Sequence, residues 1–525
     1  MGNRHYIQPL EQELPSHFAD RLGVAYTASV SQQHKKGSGQ FFTPVEIAML
    51  MASFSDFSGN SVRILDPGCG SLVLSCALIE HLVKLNMNLK VLELIAYETD
   101  SELIPFSEQS LSYLTKWSAG KGIEIKTKLF SEDFILHNAV CFKETDDLFS
   151  QPVEPFDIII SNPPYFKLPI DDKRVTVAKV VVNGHPNIYA IFMALSARML
   201  KENGELIFIT PRSYAAGGYF KIFRSYFFKF IDLDKVHLFV SRKDTFSRDK
   251  VLQETLIIKG TKRTKPESTV RISSSGGLKD IQTPLIRSFP KKDIIDVNSN
   301  EKILYLPTTD HEEAVLEIFR NWTGNLTKYN ISISTGPVVA FRARQYLREN
   351  DTIRKVQLAP LFWLHNVKQM ILEWPIVKPK KEQYINIEDK SMSLLVPNKN
   401  YVLLRRFSSK DDKSRLIAAP YFCNFIKSDY IGVENKVNYI YRLKGQLEKI
   451  EVVGLCALLN SSLFNAYFRI FNGNVNVSAT ELREMSLPPL DTIREIGHAV
   501  ILSVNFSVEN TNRIVNEYFK PAYST

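Results

Sequence analysis

At 525 residues the chain is too long for one hydrophobic core, so it is expected to fold as at least two domains. Its 44% hydrophobic and 23% charged residues exclude a disordered chain, and it has no 18-residue apolar run and a polar start, so a cytoplasmic protein without a membrane span is expected. The net charge of +9 is unevenly placed: residues 1–260 hold 28 Lys/Arg against 29 Asp/Glu, and residues 261–525 hold 37 against 27.

Taken in chain order, Ser61–Asp66 reads as a short strand running into the turn Pro67-Gly68-Cys69-Gly70-Ser71. Leu72 to Leu85 follows as an apolar helix, nearly apolar all round at its start and therefore expected to be buried. Strand, glycine turn and helix N-terminus together open a nucleotide-type site. The turn lacks the longer Gly-x-Gly-x-x-Gly of a pyrophosphate cradle, and the acid at the strand end suits a ligand with an amino acid moiety. A second strand, Val91 to Ala96, ends at Tyr97-Glu98-Thr99-Asp100. An acid there can accept hydrogen bonds from both hydroxyls of a ribose.

Asp157-Ile-Ile-Ile reads as a buried strand, and Asn162-Pro163-Pro164-Tyr165 stops it, because the prolines cannot continue a ladder. An amide, a backbone carbonyl and an aromatic ring thus meet at the carboxyl end of a strand, the edge at which open α/β sheets bind ligands. The amide oxygen and the carbonyl are both acceptors and can hold an NH2 group by its two protons. The ring offers a stacking face for a planar substrate.

Asn187-Ile188-Tyr189 opens a helix with Ile188, Phe192, Leu195 and Met199 expected on one face. Glu205 to Thr210, Lys235 to Val240 and Thr255 to Lys259 read as later strands, the last two as an antiparallel hairpin flanking Phe246. The polar stretch from Thr261 and the Ser273-Ser-Ser-Gly-Gly277 run beyond it read as the domain boundary. The expected domains are therefore 1–260 and 261–525, the second carrying the basic excess and suited to nucleic acid. Within it Arg342 and Arg344, the run Tyr401 to Phe407 with Arg405 and Arg406, and the loop Asn472 to Asn476 could touch DNA, although each taken singly is more often a solvated surface.

These motifs, in this order, resemble the S-adenosylmethionine-dependent DNA adenine-N6 methyltransferases of type II restriction-modification systems, in the group that places the cofactor motif before the catalytic motif and the target-recognition region last. The resemblance runs motif by motif over about residues 35 to 260 and is looser beyond. It implies a Rossmann-like α/β domain with a mostly parallel seven-stranded sheet, and a C-terminal mixed α+β domain for target recognition. It implies S-adenosylmethionine as cofactor, double-stranded DNA as substrate, a monomer, and a separate restriction endonuclease sharing the site. Gly39 to Pro44, with Phe41 and Thr43, is similar to the family's segment that closes over the cofactor's methionine part. Asp66, Gly68 and Gly70 match its cofactor loop, Glu98 its ribose-binding acid, and Asp133-Phe134 the pair flanking the cofactor's adenine. Asn162, Pro163, Pro164 and Tyr165 match the catalytic motif, and Phe246 the aromatic that stacks on a flipped base.

Cytosine-C5 methylation is excluded, because it needs a Pro-Cys thiolate and none of Cys69, Cys76, Cys141, Cys423 or Cys456 follows a proline. Their scatter lacks Cys-x-x-Cys spacing, so no metal is expected, and five cysteines suit a reducing compartment. Three alternatives are weighed: a protein-glutamine N5-methyltransferase, whose substrate amide is also a conjugated NH2; a non-catalytic DNA-binding relative; and a fused endonuclease, for which Asp429 with Glu434-Asn-Lys436 loosely mimics a metal-nuclease triplet although no extra length is available to house it.

Overall fold

The computed structural model describes residues 6–31, 42–143, 154–239, 255–295, 300–349, 357–376, 378–379, 381–408, 413–472 and 476–519. Phe41 and Phe246 lie outside the described residues. The chain divides into two compact units, Met1–Thr308 and Thr309–Thr525.

The first unit is built on a nine-stranded sheet of β1 (Ser61–Asp66), β2 (Val91–Tyr97), β3 (Glu124–Phe130), β4 (Phe156–Ser161), β5 (Leu200–Pro211), β6 (Asp232–Phe239), β7 (Thr255–Thr261), β8 (Thr269–Ser275) and β9 (Leu285–Pro290). The spatial order is β3-β2-β1-β4-β5-β7-β6-β8-β9. β3, β2, β1, β4 and β5 run parallel, whereas β7 pairs antiparallel with both β5 and β6. The β6–β7 hairpin therefore forms as expected, and the order of strands reverses between β1 and β4, the crevice where such sheets bind ligands.

The central strands are near-continuous apolar runs because both faces of the sheet are covered. Successive residues enter opposite cores: Leu65, Ile159, Leu206 and Phe208 face one, while Ile64, Ile158, Ile160 and Ile207 face the other. On the first side lie α5 (Ile188–Met199) and α6 (Lys221–Phe230). The second side is covered by α1 (Pro15–Ser29), α2 (Val45–Ala52), α3 (Val73–Leu85) and α4 (Ile104–Gly120).

Three expectations are corrected. The sheet has nine strands rather than seven, because β8 adds parallel to β6 and β9 adds antiparallel to β8. The polar stretch beyond Thr261 is consequently not the boundary between units, which falls after Thr308. Its serines belong to a strand whose alternate residues Val270 and Ile272 are buried while the positions between them are more open, and half a strand's polarity reads like a linker. Finally, α5 has no single apolar face: Tyr189, Ala190, Ile191, Met193, Ala194 and Ala197 are buried along with the four residues expected.

The second unit is mixed α+β. One four-stranded sheet joins Ile331–Thr335, Val437–Arg442, Tyr401–Arg405 and Ala418–Tyr421, and a five-stranded sheet is built around Leu358–Phe362. Helices Lys449–Asn460 and Leu490–Leu502 cross so closely that a Cβ on Gly454 would fall 2.0 Å from the Ile493 carbonyl oxygen. A Cβ on Gly497 would fall 1.8 Å from that of Ile450. Among the described residues no single helix is long and apolar enough to cross a membrane.

Candidate active site

A cavity of about 570 Å³ opens at the carboxyl ends of β1, β2 and β4. Its wall brings together Phe42, Thr43, Gly68, Gly70, Glu98, Asp133, Phe134, Asn162, Pro163 and Pro164, which are distant in sequence.

The floor is the turn after β1. Cys69 donates its N–H to the Tyr97 carbonyl at 2.9 Å, Gly70 takes a φ of +53° and Leu72 one of +71°. Such a left-handed turn suits Gly70 and strains Leu72, which is fully buried as the residue before α3. Asp66 is absent from the wall. It is fully buried beneath the turn and accepts a hydrogen bond from the Ser75 hydroxyl at 2.7 Å. Burial, with Glu98 nearby, pushes its carboxyl up to about 7. Asp66 thus shapes the loop from below.

Glu98 stands at the end of β2. One carboxylate oxygen accepts the Gly70 N–H at 3.2 Å and the other the Asp100 N–H at 2.8 Å. Burial raises its pKa, with the backbone donors opposing the shift. Tyr26 of α1 donates to Asp100 at 2.5 Å, which pins the loop after β2 from outside.

At the far end, Asp133 caps the short helix Phe134–His137 by accepting the Leu136 N–H at 3.0 Å. Phe134 is held between Tyr97 and Phe192, with ring centroids 5.3 and 5.1 Å away. Arg174 closes this end: it grips Asp172 through two hydrogen bonds of 2.9 and 2.6 Å and approaches Asp133 at 3.6 Å.

Asn162 follows β4. Its amide N–H donates to the Thr43 hydroxyl oxygen at 3.0 Å, and its Oδ1 accepts from the Tyr165 hydroxyl at 2.6 Å. Tyr165 Oη also lies 3.0 Å from the Ile209 carbonyl, and its ring meets Tyr189 edge-on at 6.2 Å. Tyr165 is half-buried and does not line the cavity, whereas the neighbouring Phe166 does.

This geometry has room for a ligand with a flat ring and a polar tail. Residues 77–246 match the family described as Eco57I restriction-modification methylase. The type II methyltransferase M.BsuBI of Bacillus subtilis is 34% identical over 475 residues, covering 90% of this chain and 92% of that protein. The chain belongs to the type II methyltransferases. M.PstI of Providencia stuartii, another type II methyltransferase, is 30% identical over 500 residues and covers 95% and 96% of the two chains. The fold also matches the DNA complex of the type IIL restriction-modification enzyme MmeI, with a TM-score of 0.51 at 12% identity over 97% of this chain and 74% of that one.

The cofactor of this methyltransferase is S-adenosylmethionine, and the residues present fit it. A Cβ on Gly68 would lie 3.6 Å from the Phe192 ring and one on Gly70 3.6 Å from the Phe42 ring, so the bare turn keeps room in the cavity for a ligand. Glycines 68 and 70 keep the floor low, and Glu98 presents acceptors beside them. Sequence reasoning missed Phe42, Arg174, Phe166, Phe192 and Ser71 as wall residues. Phe42 and Ser71 lie inside stretches already singled out, Gly39–Pro44 and Pro67–Ser71, and Phe192 on the apolar face read for its helix; Arg174 carried no local signal, being brought in by tertiary contacts alone.

The suggested DNA-contacting stretches of the second unit fare unequally. Arg342 and Arg344 are exposed around a short helix with Phe341, which is 77% exposed. Arg405 instead donates to the Val367 carbonyl at 2.7 Å and Arg406 to that of Asn435 at 3.1 Å. Asn472 is buried between Arg415 and Glu481, at 2.9 Å from each, and so serves the interior of the unit. Asn474 lies outside the described residues.

Proposed function

We propose that this methyltransferase transfers a methyl group to N6 of a flipped-out adenine in double-stranded DNA, at a specific sequence, protecting that site from a separate restriction endonuclease. The observation that carries the reading is the presence of Asn162 and Pro163 on the same cavity wall as Gly68, Gly70 and Glu98. The two residues read as acceptors for an NH2 group thus border the space assigned to the cofactor.

S-adenosylmethionine, when bound, supplies an electrophilic methyl. Glu98 accepts from the ribose hydroxyls, Asp133 and Phe134 hold the adenine ring, and the 68–71 turn receives the amino acid end. The adenine N6 lone pair is delocalised into its ring and attacks poorly. Asn162 Oδ1 and the Pro163 carbonyl each accept one N–H of the target amine, drawing the nitrogen towards a tetrahedral shape and localising the lone pair for in-line attack. Positioning and oriented dipoles do this, with no general base required before transfer. Extruding the base costs a few kcal/mol. Tyr165 and Phe246 offset part of that by stacking, at about 1–3 kcal/mol each on single-strand precedents.

The second unit, with the basic excess, is assigned to target recognition. One copy suffices for one strand, since each motif occurs once, so the working form is a monomer. The test is transfer of labelled methyl groups to unmodified DNA, followed by nucleoside analysis and mapping of modified positions. N6-methyladenine at one recurring sequence is expected; label in cytosine, or in protein glutamine alone, would refute the reading.

A further inference from the structure

The segment that enters the cavity ahead of α2 touches both halves of the site. Phe42 lies across Gly23 and Gly70, where an added Cβ would come within 3.1 and 3.6 Å of its ring. Its ring also packs on Tyr26 at 5.6 Å. Thr43, beside it, is buried at 6% exposure, and its hydroxyl oxygen accepts the Asn162 amide N–H at 3.0 Å. One residue therefore sits on the cofactor loop while the next holds the amide expected to grip the target.

We propose that Thr43 is a positioning residue for methyl transfer, anchoring the Asn162 amide so that its oxygen is presented as the acceptor. The inference rests on the functional reading above. An amide turned about its Cβ–Cγ bond by half a revolution would offer NH2 to an amine that is itself a donor, and the grip would fail. With Tyr165 donating to Oδ1 at 2.6 Å and Thr43 accepting from Nδ2, the amide is tied at both ends and its plane is fixed.

The test compares the full-length wild type with Thr43→Val, which keeps the shape and removes the acceptor, and Thr43→Ser, which restores it. Single-turnover methylation of whole-genome-amplified DNA gives the transfer rate, and calorimetry gives the affinity for S-adenosylmethionine. Thr43→Val is expected to slow transfer roughly tenfold, the worth of one hydrogen bond to a positioned group, and to weaken cofactor binding by clearly less than that, since Thr43 also lines the cofactor wall. Thr43→Ser is expected within about twofold of wild type on both measures. Cofactor binding also reports that each variant has folded. A Thr43→Val rate within twofold of wild type would overturn the proposal, as would a cofactor affinity that falls in step with the rate. A wild type that binds cofactor but methylates no DNA would overturn the functional reading itself, and the proposal with it.

Discussion

Replacing Glu98 by Gln tests the cofactor assignment most directly. In the structure each carboxylate oxygen already takes one backbone N–H, from Gly70 at 3.2 Å and from Asp100 at 2.8 Å, which leaves lone pairs that the proposed function assigns to the ribose. Gln keeps one acceptor but turns an NH2 towards one of those two N–H donors. The change removes a charge-assisted hydrogen bond to the ribose, worth about 1.5–3 kcal/mol, and adds a donor–donor conflict. A loss of about 2–3 kcal/mol corresponds to cofactor binding roughly 30- to 150-fold weaker. Calorimetric titration of S-adenosylmethionine at pH 8 measures it. The pH dependence supplies a second arm. Because burial raises the Glu98 pKa, the carboxylate takes up a proton above the ordinary glutamate range, and wild-type affinity is expected to fall as pH drops through that window. The Gln variant should be flat there. An affinity within threefold of wild type at pH 8 would refute the assignment of Glu98 to the ribose.

Asn162→Ala is expected to reduce methyl transfer by at least about a hundredfold with cofactor affinity nearly unchanged, as for the loss of an oriented acceptor at the reacting group; retained transfer would remove the amide from the chemistry. Asp66 is buried with its pKa raised to about 7, so the folded chain binds a proton there that the unfolded chain has released. That group makes the cofactor-free protein more stable as pH falls from about 7 towards the ordinary aspartate range, and Asp66→Asn should flatten the trend in thermal melts between pH 5 and pH 8, a shift of about 2–5 °C. Arg174→Ala should weaken cofactor binding less than about fivefold, because its 3.6 Å pair with Asp133 is part-exposed; a larger loss in calorimetry would mean that Arg174 touches the cofactor itself. Replacing Arg342 and Arg344 by Ala should lower the slope of log affinity against log salt for DNA by about 2 in fluorescence anisotropy titrations, whereas an unchanged slope would exclude both from the interface.

Much of the first unit is legible because its strands are apolar runs ended by special residues. β1 coincides with Ser61–Asp66, β4 ends at Ser161 ahead of the prolines, and β6 and β7 form the hairpin on either side of residues 240–254. The cavity wall is partly legible for a related reason: Gly68, Gly70, Glu98, Asn162 and Pro163 follow strands, and glycine and proline punctuate the chain there. What failed to show were properties set by distant partners. Asp66 reads as a ligand-facing acid, yet Ser75 from the next helix turns it under the loop. Arg174 belongs to a polar run whose purpose appears only when Asp133 is folded against it. Arg405 and Arg406 read as a basic surface because a sequence does not reveal that the Val367 and Asn435 carbonyls lie within their reach. β8 escaped notice because its serines imitate a linker.

The crossing of helices Lys449–Asn460 and Leu490–Leu502 has a reciprocal form. Gly454 faces the carbonyl of Ile493, four residues before Gly497, and Gly497 faces that of Ile450, four residues before Gly454. Each helix thus offers the other the same pairing of bare α-carbon and backbone oxygen, as two subunits do across a local dyad. One methyl at either glycine would wedge the axes apart, and the second would then enter space already opened, so the two positions are energetically interdependent. Substitutions at the two glycines are consequently expected to couple, and backbone contact helps to set the relative rotation of the two helices.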